Sequence, residues 1–175
     1  MPGTIIELNP VHAIRAAAIG QPGKRVFYLQ GRGGDELVTL IFEKAQLQSL
    51  AVAVEQLQAE LEERFPELDA APPSFREDEM ELEQPIDPLF RVGEIGLGYD
   101  RELDQLVLET RELVTETTDP SEASVARFWC TRSQLRALAR WGMELVGRGR
   151  QICGNCGEPI DPEGHFCPKR NGHKH

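Results

Sequence analysis

The chain has 175 residues, of which 40% are hydrophobic and 27% charged, and its formal net charge at pH 7 is -10. That length suits one domain with a core of its own plus a small appendage, and excludes two large domains. The acidic balance argues against non-specific nucleic-acid binding, which rests on basic surfaces that neutralise phosphates.

Short alternating, β-rich runs come first: TIIEL (4–8), AIRAAAIG (13–20), RVFYLQGR (25–32) and ELVTLIFE (36–43). The breaks QPGK and GRGGD carry the Gly and Pro of hairpin turns. From 44 to 65, Leu47, Leu50, Ala51, Val54, Leu57 and Leu61 recur at three- and four-residue steps, which predicts an amphipathic helix stopped by Pro66. Residues 66–88 hold five prolines and a dense acidic run, and read as a flexible or irregular connection. Strand patterns resume at LFRVGEIGLGYD (89–100), DQLVLETREL (104–113) and ASVARFWCT (123–131). A second helix follows over 133–147, with Ser133 as its cap and Gly147 as its close.

The two halves of this body, 13–65 and 89–147, share features. AIG (18–20) resembles EIG (94–96), and EKAQLQSLA (43–51) aligns with TRSQLRALA (131–139), with Gln46/Gln134, Leu47/Leu135, Leu50/Leu138 and Ala51/Ala139 in register. An internal duplication predicts an α+β fold: an antiparallel sheet of six or seven strands from two strand-strand-strand-helix halves related by a pseudo-twofold, both helices on one face. The body is then 1–147, followed by a tail at 148–175.

That tail holds three of the four cysteines and three of the four histidines. Cys153 and Cys156 form a C-x-x-C pair, and Cys167 follows within about a dozen residues. Structural zinc takes four N or S ligands in a tetrahedron, and such a pair supplies half of them. Cys167 is the natural third ligand. His165 is the favoured fourth, since residues two apart on an extended segment point to one side; His173 is the alternative. A redox dithiol would need a strand and helix around the motif, and the tail has no apolar run to build them. A closed Cys3His site is inert to substrate, so the zinc is expected to be structural. From Gly147 onward five Lys/Arg stand against three Asp/Glu, and Arg148, Arg150, Lys169 and Arg170 are candidate contacts for an anionic partner.

In the body, Cys130 beside Phe128 and Trp129 reads as core packing. His12 has no assignable partner. Gly20, Pro22 and Gly23 beside Lys24 and Arg25, and Arg32–Gly34, form basic Gly turns able to cradle phosphate, though neither matches a P-loop and a hairpin turn is the better reading. Glu43, Glu94 and Glu109 are acid/base candidates if they share a cleft. No run nears the roughly 18 apolar residues of a membrane span, and the N-terminus has no signal-peptide pattern, so a soluble cytoplasmic protein is expected.

GQPGKRVFYLQ (20–30), FRVGEIGLGYD (90–100) and the ending with CxxC, DPEGH, CP and NG resemble a conserved bacterial family known as domain of unknown function number 3090. The resemblance covers nearly the whole chain. It implies Cys153, Cys156, His165 and Cys167 as a recurring Cys, Cys, His, Cys set, and implies no activity. The expected function is a binding or adaptor module with a structural zinc. The alternatives are an enzyme acting on a phosphorylated or other small anionic substrate in a charged cleft between the halves, lined by residues such as Arg25, Arg91 and Glu94, and nucleic-acid binding through the tail. An exposed sheet edge leaves a homo-oligomer open.

Overall fold

The computed structural model describes residues 3–21 and 23–148, together with the short strands 151–152 and 159–160. Nine strands and two helices follow in the order β1 (Ile5–Leu8), β2 (Ala13–Ile19), β3 (Val26–Gly33), β4 (Glu36–Phe42), α1 (Lys44–Arg64), β5 (Pro88–Asp100), β6 (Gln105–Glu112), β7 (Val125–Cys130), α2 (Arg132–Gly147), β8 (Gln151–Ile152) and β9 (Pro159–Ile160). The fold is mixed α+β. Its main sheet has seven strands in the order β1-β7-β6-β5-β4-β3-β2, and β8 and β9 form a separate antiparallel pair.

The sheet departs from the all-antiparallel expectation at two joins. β2–β3–β4 and β5–β6–β7 are antiparallel meanders, joined by short turns except for the 113–124 connection between β6 and β7. β4 runs parallel to β5, and β1 parallel to β7. A parallel pair needs a crossover of a dozen or more residues, and α1 with the 66–87 segment supplies one between β4 and β5. The sheet also curls until its two edges meet. Only residues 9–12 separate β1 on the β7 edge from β2 on the β3 edge. Val11 N–H donates to the Trp129 carbonyl at 2.9 Å and His12 N–H to that of Arg32 at 2.6 Å. The edges that would invite strand addition are thereby joined to each other.

The inner face carries the core. Alternation in β3, β4, β6 and β7 turns Leu29, Leu40, Leu106, Leu108 and Phe128 inward, all fully buried. Each such side chain contributes about 1.5–3 kcal/mol through removal from water. Gly31 on β3 makes room for the Phe128 ring, since a Cβ there would stand 2.5 Å from two ring carbons. Cys130 is fully buried, as core packing requires.

The helices pack on each other, α1 also against β5 and α2 against β2. α1 buries Leu47, Leu50, Ala51, Val54 and Leu61 on the expected stripe, with Gln58 inward while Leu57 is only half-buried. α2 begins one residue earlier than its sequence pattern suggests, and its cap is Thr131 in place of Ser133. Thr131 Oγ1 accepts the Gln134 N–H at 3.0 Å while Gln134 Oε1 accepts the Thr131 N–H at 2.8 Å, a reciprocal capping box.

The two helix starts use the same device. Gln46 Oε1 accepts the Glu43 N–H, and its Nε2 donates to the Val92 carbonyl at 2.9 Å; Gln134 Nε2 donates to the Val11 carbonyl at 3.3 Å. Strand register gives the matching positions. Phe27 faces Phe42 as Leu106 faces Cys130, and Ala16 faces Leu29 as Leu97 faces Leu108. By register Ala16 and Leu97 hold matching places in the two meanders, so AIG (18–20) and EIG (94–96) do not.

Residues 66–88 are irregular yet packed. The fully buried Gln30 amide binds both backbone groups of Glu83: Oε1 accepts its N–H at 2.7 Å and Nε2 donates to its carbonyl at 3.1 Å. Arg15 and Arg32 pair with the Glu83 carboxylate at 3.0 and 2.8 Å. Met80 is buried, and Phe75 meets Trp141 edge-on at 5.9 Å. The expected flexible linker is a strap laid over β2, β3 and α2.

Candidate functional site

The β2–β3 hairpin, the end of β4, the first turn of α1 and β5 enclose a pocket of about 260 Å3. Gly23, Arg25, Phe27, Glu43, Lys44 and Arg91 line it, so both meanders contribute. Gly23 holds φ +86° in the hairpin turn, a conformation open to glycine. The β3/β4 register brings Arg25, two residues before Phe27, to the same end as Lys44, two residues after Phe42.

Arg25 is fixed from two sides. Its Nη1 donates to the Leu145 carbonyl in the last turn of α2 at 2.9 Å, and its guanidinium carbon lies 4.9 Å from the centre of the Phe27 ring. Burial disfavours the charged guanidinium and lowers its pKa from the ordinary value. Among the described residues, no carboxylate oxygen lies within 4.0 Å of Arg25 or Lys44. Arg91 Nη1 pairs with Glu43 at 2.7 Å on the rim.

The matching place in the second meander is filled by an internal ion pair. Asp104 stands two residues before Leu106 and Arg132 two residues after Cys130, as Arg25 and Lys44 stand to Phe27 and Phe42. Arg132, 5% exposed, donates to both Asp104 oxygens at 2.8 and 3.0 Å. Tyr99 O–H donates to Asp104 at 2.8 Å. Arg132 and then Tyr99 hold the Asp104 carboxyl below the usual carboxylate range. Where the β5–β6–β7 meander carries cation and carboxylate, the β2–β3–β4 meander carries two cations and an open pocket.

Of the residues singled out in the sequence, Arg25 and Arg91 line this pocket and Glu43 sits on its rim. Glu94 does not: its side chain is 82% exposed, 3.9 Å from Arg111. Glu109 pairs with Arg127 at 2.7 Å, so the three carboxylates share no cleft. Lys24 is exposed and outside the lining, and Arg32 is held by Glu83. Arg148 bonds to Glu77, approaches Glu144 at 3.7 Å and covers the Trp141 ring at 4.9 Å, so its charge is met within the chain. Arg150, Lys169, Arg170, and the metal candidates Cys153, Cys156, His165, Cys167 and His173, lie outside the described residues. Among the described residues, no three His, Cys, Asp or Glu side chains cluster as a metal site, and no helix is long and apolar enough to cross a membrane.

Lys44 was not legible as a site residue, because only the β3/β4 register and the helix start bring it to Arg25. A second cleft of about 370 Å3 lies between β2, the strap and the start of α2, where His12, Arg15, Phe75, Met80 and Gln134 meet. Ala45, Gln46, Ser49, Gly93 and Ile95 line a further cleft at the start of α1.

No curated protein and no solved structure matches this chain. A family model matches residues 6–167, and the chain belongs to the family described as protein of unknown function DUF3090.

Proposed function

We propose that this protein is a binding module whose ligand is anionic, received in the pocket between the two meanders, with a C-terminal tail folded on a structural zinc. The observation that carries the first part is the like-charge pair Arg25 and Lys44, standing where the other unit has Arg132 and Asp104. Two cations facing one small cavity repel each other, and an anion between them relieves that repulsion. The repeated strand-strand-strand-helix order and the matched roles of Gln46 and Gln134 support reading the body as one unit used twice. On that reading the pocket is the place where the two copies have diverged.

Zinc rests on the donor set. Three thiolates and an imidazole from Cys153, Cys156, Cys167 and His165, with His173 as the alternative, suit a closed tetrahedral site. A zinc site folds a segment that is too polar to fold by itself. The tail cations Arg150, Lys169 and Arg170 then serve a partner as an adaptor surface, while Arg148 is occupied by Glu77.

An enzyme using the same cleft needs an acid or base there. The one carboxylate in the described lining is Glu43, already held by Arg91. Binding without turnover fits these residues better. The charge of -10 weighs against nucleic acid as the anion.

Thermal melts at constant ionic strength, in chloride, acetate, sulfate, citrate or inorganic phosphate, test the binding reading. At least one anion should raise Tm above the chloride value, and raise it less in Lys44→Ala. Identical melts in every salt remove the pocket as a binding site.

A further inference from the structure

The charge balance of the pocket sets the class of ligand, given the binding reading above. Three cationic side chains, Arg25, Lys44 and Arg91, meet one acid, Glu43, so two positive charges stay uncompensated by the lining. A monocarboxylate would neutralise half of that excess. A phosphate monoester carries about -1.5 to -2 at pH 7 and three strong acceptor oxygens. We propose that the pocket binds the phosphate group of a small organic phosphate monoester, with the ester's organic part outside the cavity.

Size agrees with this division. About 260 Å3 falls below the roughly 300–1,000 Å3 of pockets that enclose whole drug-sized ligands. A phosphate head fits such a space. The body of the ester is placed against the rim, because the rim is apolar on the hairpin side. Val26 lines the pocket, and Ile19 is its direct partner across the β2–β3 ladder. Their exposures, 38% and 46%, are high for side chains that belong in a core.

The site is built for a fork of acceptors. A guanidinium binds phosphate oxygens in a planar, two-point fashion, and Arg25 is already oriented by the Leu145 carbonyl and the Phe27 ring. Little side-chain freedom is left to lose when the ligand arrives, which favours affinity. Lys44 adds an exposed point charge.

Calorimetric titration of the full chain at pH 7.5 with phenyl phosphate, inorganic phosphate and benzoate tests the proposal. Phenyl phosphate should bind at least tenfold tighter than benzoate, which has the same ring and one charge, and tighter than inorganic phosphate, which has no ring. Its affinity should fall severalfold at pH 5.5, below the second phosphate pKa of about 6. Lys44→Gln and Arg25→Gln should each weaken it tenfold or more, and Arg111→Gln, outside the pocket, should not. Should Arg25→Gln unfold through loss of its Leu145 bond, exposed Lys44 still decides the matter. Equal affinity for benzoate overturns the phosphate assignment and leaves an anion-binding module. Phenyl phosphate binding that ignores Lys44→Gln places the site elsewhere and overturns the proposal. No binding by any probe, together with flat melts in every salt, overturns the binding reading as well.

Discussion

The guanidinium of Arg132 grips both carboxylate oxygens of Asp104, at 2.8 and 3.0 Å, and pins the β5–β6 turn to the first residue of α2. Arg132 is nearly buried while Asp104 remains 41% exposed, so the pair is half screened by water. Asp104→Asn leaves a buried guanidinium without its counter-charge. The expected loss is about 2–3 kcal/mol, under the 3–5 of a fully buried pair. The folded-state pKa of Asp104 is depressed, so its contribution is complete above the unfolded value of about 3.9 and is lost as pH falls through the lower folded value. Urea midpoints of wild type and Asp104→Asn should therefore differ most at neutral pH and converge below pH 4. A gap that stays constant down to pH 3 would show that the carboxylate's charge is irrelevant there.

Gly31 and Phe128 touch across the interior of the curled sheet. Gly31→Ala sets a methyl 2.5 Å from two carbons of the fully buried Phe128 ring. Overpacking of this kind costs about 1–3 kcal/mol. Adding Phe128→Leu should restore part of that stability, since the smaller side chain vacates the clash. The two changes should thus be strongly non-additive in denaturant unfolding; simple addition would mean that the ring does not face Gly31.

The strap depends on one buried amide. Gln30→Leu removes both bonds to the backbone of Glu83 and the bond to Thr39, leaving a buried hydroxyl and two backbone groups to find other partners. Unmet bonds of this type cost about 1–3 kcal/mol. Limited proteolysis should cut the variant first within 66–88, while wild type resists there. Equal protection in both proteins would place the anchor of the strap in Arg15 and Arg32 alone.

Alternation and helical periodicity made the individual elements legible, because each half-buried strand or helix writes its own period into the chain. All seven body strands and both helices fall within a residue or two of their sequence patterns. What joins them was less visible. The closure at Val11 and His12 depends on backbone bonds, which leave no mark on side-chain choice. The parallel join of β4 to β5 follows from a crossover whose second half reads as linker, since proline and acid hide the strap's few anchors. The pocket was half legible. Arg25 and Arg91 announce themselves as charges beside turns and strands, whereas Lys44 is one more lysine at a helix start until the register sets it beside Arg25.

The tail is the remaining test of the sequence reading, and metal content answers it directly. Protein purified without added metal should carry one zinc per chain, retained in His173→Ala and lost in His165→Ala and Cys153→Ser. The described core is assembled from residues between Leu8 and Val146. Chelation should accordingly unfold the tail and leave the body's thermal transition in place, visible as two separate events in calorimetry. Zinc kept in both histidine variants would mean an open or shared fourth position, where a bound water becomes acidic near neutral pH and metal-assisted hydrolysis gains a physical basis. Loss of the body's transition on chelation would instead tie the metal to the fold as a whole, and the division at residue 147 would have to be redrawn.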